Sequence, residues 1–161
     1  MLIDKFPWLL QPSLITILIR TVLAVVCGGA IGYDRNLRGA SAGLRTHILV
    51  CTGSMLAMTV GQFAAIYYTT VDPTRIGAQV VSGLGFLGAG SIIVTRDNHV
   101  SGLTTAAGLW ASACIGLALG IGFYEGALVG AAVVYFAERI LKKVSKRLEN
   151  RDNKDNQESK L

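Results

Sequence analysis

Residues 102–136 read GLTTAAGLWASACIGLALGIGFYEGALVGAAVVYF, with Glu125 as the only charge. As one helix this stretch would reach about 50 Å, well beyond a hydrocarbon core of roughly 30 Å. It must fold back on itself. The one break is Gly120-Ile121-Gly122-Phe123-Tyr124-Glu125-Gly126, with glycines, a charge and aromatics of the membrane-interface type. The reading is therefore two spans, at about Gly102–Gly122 and Gly126–Leu141.

Three further spans precede them. The first runs from about Ser13 to Tyr33, the second from Ile48 to Tyr68, the third from Ile76 to Thr95. Arg20 interrupts the first toward its outer end, where a long side chain can snorkel. The texture of Leu14–Cys27 also suits a signal peptide, but Arg20 and the spans that follow favour a retained helix. Composition agrees. Of the 161 residues 52% are apolar and 16% charged, too few to coat a soluble domain. The expected fold is an all-α polytopic membrane protein of five transmembrane helices.

Charge sets the expected orientation. With the C-terminus inside, the inner segments hold twelve Lys and Arg, among them Arg35, Arg38, Arg45, Arg96 and Arg139. The outer segments hold only Lys5 and Arg75. That bias places the N-terminus outside and the C-terminus in the cytoplasm. The net charge of +5 resides mostly in short loops and after Arg139, which suits anionic lipid heads rather than nucleic acid. Residues 1–141 read as one membrane domain. Residues 142–161 read as a basic, then polar and partly disordered, cytoplasmic tail. Cys27, Cys51 and Cys114 are far apart within apolar runs, so they read as packing residues.

Three stretches are candidates for function. The loop from Gly32 to His47 brings Asp34, Arg35, Arg45, Thr46 and His47 to one membrane boundary. They suit an anion or partner site, or a gate; topology signalling and headgroup contact is the plainer role. His47 by itself reads as an interface residue. The third span holds Gln79 with Gly83, Gly85, Gly88 and Gly90. Such glycines either let helices approach closely or break the helix so that its backbone lines a pathway. The fourth span opens with Ser101, Thr104 and Thr105, and Ser101 or Thr104 is expected to cap it. Trp110 lies deeper than a belt aromatic and is expected between helices. Gly116, Gly120, Ala127 and Gly130 are further packing positions.

No span is read as holding an acid, which speaks against a proton-coupled carrier and against an acidic ring for magnesium. A Ser-His-Asp set, a phosphate-binding loop and HExxH are absent. The expectation is a non-enzyme without a cofactor, with Mg²⁺ as ligand or signal and the metal ligands unassigned.

Gly29-Ala30-Ile31-Gly32-Tyr33-Asp34-Arg35, Ala42-Gly43-Leu44-Arg45-Thr46-His47-Ile48-Leu49-Val50, Gly83-Leu84-Gly85-Phe86-Leu87-Gly88-Ala89-Gly90 and Val100-Ser101-Gly102-Leu103-Thr104-Thr105-Ala106-Ala107-Gly108-Leu109-Trp110 follow in order. Together they resemble the MgtC/SapB/YhiD family of bacterial inner-membrane proteins, from about Ser13 to Leu141. The resemblance implies a multi-pass inner-membrane protein associated with magnesium limitation and, in pathogens, with survival in host cells. It implies regulation through other membrane proteins, such as restraint of the ATP synthase, more than transport. Two departures stand out. Asp34 replaces the family's usual Glu, and a short tail stands where virulence members carry a soluble C-terminal domain, so the chain reads as a minimal form. The leading expectation is helix–helix contact with membrane partners or a second copy, in ion or energy homeostasis. The alternative is a small Mg²⁺ or other ion transporter with a broken third helix. A third is an adaptor acting through its basic tail.

Overall fold

A computed structural model describes residues 10–68, 70–94 and 100–141. Lys5, Arg96, Asp97 and the tail 142–161 lie outside them. Among the described residues there are five helices: α1 (Leu14–Leu37), α2 (Leu44–Tyr67), α3 (Thr74–Ser91), α4 (Leu103–Ile121) and α5 (Tyr124–Phe136). A π-helical turn, Ala137–Leu141, continues α5. α1, α2 and α4 are long and apolar enough to cross a membrane. The structure adds one feature to the all-α expectation: β1 (Ile93–Val94) pairs antiparallel with β2 (Val100–Ser101) between α3 and α4.

Local chemistry sets the helix ends. The Ser13 hydroxyl accepts from the Thr16 amide at 3.3 Å and caps α1. Neither Ser101 nor Thr104 caps α4, contrary to expectation. Its N-cap is Gly102, at φ +91°. A Cβ there would collide with the Ser91 carbonyl, so the close return of the chain beside α3 selects glycine over a capping side chain. The fold-back falls within the expected break. Gly122 ends α4 at φ +90°, and the Phe123 amide donates to the Ala118 carbonyl at 2.8 Å, as at many helix ends.

α2 and α4 form the most extensive helix pair, followed by α1 with α2. Small residues make this possible. A Cβ on Gly116 would overlap the Cys51 carbonyl, and one on Gly120 would lie 2.5 Å from the Met55 carbonyl oxygen. The backbones therefore touch, and dispersion between helices replaces the hydrophobic effect as the cohesive term. Ala24, Cys27, Ile31, Cys51, Met55, Ile115, Leu119, Tyr124 and Ala127 make the core. All three cysteines are free thiols.

One alternative and two expectations fail here. α3 is one continuous helix through Gly83–Gly90, so the broken-helix alternative is not what the chain adopts. Trp110 is 50% exposed and faces outward from α4 rather than packing between helices. On α4 the buried stripe runs through Thr105, Leu109, Ser112 and Gly116, and Trp110 is turned about 100° from Leu109. Arg20 does not snorkel. It is fully buried, for reasons that belong with the polar chemistry of the bundle.

Candidate functional site

The polar chemistry lies at the two ends of the bundle. At one end Arg20 of α1 is enclosed by acceptors from four directions. Its Nε donates to the Tyr124 hydroxyl at 3.2 Å, and its Nη1 to Gln62 Oε1 at 2.8 Å and to the Gly120 carbonyl. Its Nη2 donates to the Leu10 carbonyl at 3.3 Å. Thr59 also donates to the Gly120 carbonyl, at 3.3 Å. A guanidinium carries five donors in a fixed fork, and here the fork ties α1, α2, α4 and α5 together. Burial is tolerable because acceptors replace water.

The opposite end holds the cluster that the sequence singles out. The last turns of α1 carry Asp34, Arg35 and Arg38. Asp34 and Arg38, four apart, form a partly buried pair at 2.8 Å. Such a pair contributes roughly 0.3–0.5 kcal/mol. Arg35 points the other way, into the bundle, with its side chain 10% exposed. It donates to the Thr105 hydroxyl on α4, and its Nε lies 4.0 Å from Glu138 Oε1.

Glu138 is the residue that sequence reading missed. It lies inside the stretch assigned to the fifth span, so the expectation that no span holds an acid is overturned. The π-helical turn carries it. Such turns recur at functional sites. Its side chain is 9% exposed, and both carboxylate oxygens are buried with no hydrogen-bond partner among the described residues. Space for it comes from Gly108 on α4. A Cβ there would sit 2.6 Å from Glu138 Oε1 and 3.4 Å from the His47 ring. His47 is likewise fully buried rather than interfacial. Its Nδ1 shares a 2.8 Å hydrogen bond with the Ser112 hydroxyl, and its Nε2 has no hydrogen-bond partner among the described residues.

These groups border a cavity of about 860 Å³, lined by Arg35, Arg38, Thr104, Thr105, Gly108 and Glu138, with apolar walls that include Ile93 and Val134. The structure thus gathers Asp34, Arg35, Thr104 and Thr105 of the sequence candidates at one end. Arg45 is exposed and Thr46 half-buried, and neither lines the cavity. Gln79 is exposed as well. Gly83, Gly85 and Gly90 have open space where a side chain would be, and Gly88 alone touches α4, at Ala106. Among the described residues no three His, Cys, Asp or Glu side chains converge as a metal-ligating set. A carboxylate and two guanidinium groups in one apolar-walled cleft can bind a ligand that both donates and accepts hydrogen bonds.

Comparison with known proteins places this arrangement. Residues 21–147 match the MgtC family. The chain is 41% identical over 140 residues to the Escherichia coli K12 protein named "Putative magnesium transporter YhiD", covering 84% of this chain and 65% of that one. It is 37% identical over 131 residues to "Protein MgtC" of Salmonella typhimurium LT2, covering 81% and 54%. It is 34% identical over 139 residues to "Protein SapB" of Bacillus subtilis, covering 83% and 59%. The chain spans less than two thirds of the length of these curated relatives. No solved structure matches it. The helices, the ordered glycine and arginine motifs and these similarities agree: the chain belongs to the MgtC family of bacterial membrane proteins.

Proposed function

We propose that this chain is a multi-pass protein of the bacterial inner membrane, its N-terminus outside and its C-terminus cytoplasmic. It acts in magnesium, ion or energy homeostasis through helix–helix contacts with membrane partners, without catalysis. The observation that carries this reading is the free face of α3. Only Gly77 and Leu84 of that helix are buried. Gly83, Gly85 and Gly90 meet nothing among the described residues, and Phe86 projects at 84% exposure. Gly85 and Ala89, four apart and both exposed, share one small-residue stripe, the kind of surface a second transmembrane helix packs against. That helix belongs to another membrane protein or to a second copy. Gly85→Leu is expected to abolish disulfide crosslinking from a cysteine placed at Ala89 while the purified protein stays folded. Unchanged crosslinking would sink the reading.

Transport of Mg²⁺ or another ion is the second reading. The buried Glu138 in its cavity favours it, and so does the name of the Escherichia coli relative. The continuous α3 removes the broken-helix route, so a pathway would run past Glu138 instead. Magnesium flux into proteoliposomes decides. Saturable flux that Glu138→Gln abolishes supports transport. Flat traces from correctly inserted protein remove it.

A further inference from the structure

The Arg35–Glu138 cavity presents two complementary demands. Among the described residues both Glu138 oxygens are buried acceptors without a hydrogen-bond donor, and the buried Arg35 Nε is a donor without a hydrogen-bond acceptor, 4.0 Å away. Desolvated charges of this kind are unfavourable until hydrogen bonds replace their lost water. A bare cation satisfies Glu138 but is repelled by Arg35 and Arg38. A bare anion meets the reverse conflict. The matching ligand carries a hydrogen-bond-donating cation and an anion a few ångströms apart.

Position and walls narrow the class. Arg35 and Arg38 end α1, Gly102 starts α4 and Glu138 follows α5, so the cavity lies where the helices reach lipid headgroups. Its volume of about 860 Å³ exceeds a headgroup, and Ile93, Ala111 and Val134 continue its lining with apolar surface. We propose that the cavity binds the headgroup of an aminophospholipid of the ethanolamine type. The primary ammonium donates to Glu138, the phosphate accepts from Arg35 and Arg38, and the glycerol and first methylenes lie against the apolar wall. Exposed Thr104 supplies a hydroxyl at the rim. The inference is independent of the choice between partner contact and transport.

A primary ammonium has three donors and a quaternary ammonium has none, which gives the test its contrast. The full chain is purified into nanodiscs with equal parts of phosphatidylethanolamine, phosphatidylcholine and phosphatidylglycerol, and retained lipid is read by native mass spectrometry. Retention of the ethanolamine lipid over the choline lipid by about tenfold is expected, the scale of one charge-assisted hydrogen bond. Glu138→Gln, which keeps the shape, should bring that ratio to about one. Gly108→Ala, which presses a methyl on the carboxylate, should lower it with Glu138 intact. Equal retention of both lipids overturns the proposal, as does a ratio unchanged in both variants. Soluble phosphoethanolamine is a competitor in the same assay. If it protects the cavity equally well without lipid, the ligand is a free zwitterion and the lipid assignment fails.

Discussion

The two ends of this bundle hold arginines of the same helix in opposite conditions. At one end Arg20 is closed in, its fork filled by Tyr124, Gln62, Gly120 and Leu10. At the other, Arg35 and Glu138 border an open cavity and leave buried polar atoms without hydrogen bonds. Buried polar groups that find partners hold a structure together; those that do not are where ligands, protons or partners act. The Arg20 end is thus structural, and the Arg35 end is the place to look for activity.

Substitutions at the two ends should separate these roles. Arg20→Ala removes the guanidinium that ties α1 to Gln62, Gly120 and Tyr124 and leaves a cavity among the helices. It should lower stability by about 3 kcal/mol or more, measured by denaturant unfolding in detergent micelles. Gly120→Leu forces a side chain against the Met55 carbonyl and should cost about 1–3 kcal/mol, with loss of monodisperse protein as the early sign. At the other end Glu138→Gln removes a buried carboxylate without hydrogen bonds. It should leave stability unchanged or raise it by about 1 kcal/mol, while any ligand binding or flux is lost. A strongly destabilised Glu138→Gln would erase the contrast between the ends. Trp110→Ala should cost less than about 1 kcal/mol, because the ring faces outward.

The smallest effect belongs to Asp72, before α3. It accepts from the Thr74 hydroxyl at 2.7 Å and amide at 2.8 Å, and these bonds hold its pKa below the ordinary 3.8. A depressed carboxylate contributes stability that is present above the unfolded pKa and lost as pH falls through the folded one. The unsubstituted protein should therefore lose slightly more stability than Asp72→Asn as pH drops from about 5 to below about 3. Thermal melts across that range check the sign.

Much of the contrast escapes a reading of sequence. Glu138 lies in the span where an acid was not expected, one residue from the exposed Arg139. Only the π-helical turn and the absence of a side chain at Gly108 turn it inward. Arg20 gave a clearer signal, since a charge deep in an apolar run is rarely idle. Three of its acceptors, however, come from residues 42, 100 and 104 positions away. Conversely, Gly83, Gly85 and Gly90 of α3, conspicuous as a motif, touch nothing among the described residues.

The sequence by itself determined the class of the protein, the number of helices, the fold-back at Gly122 and the family. These follow from local quantities: runs of apolar residues long enough to span, glycines that end helices, and motifs in order. Tertiary structure alone decided which polar groups are buried and which of them are satisfied. Burial and hydrogen bonding depend on which helix face meets which, and residues a hundred positions apart settle that together.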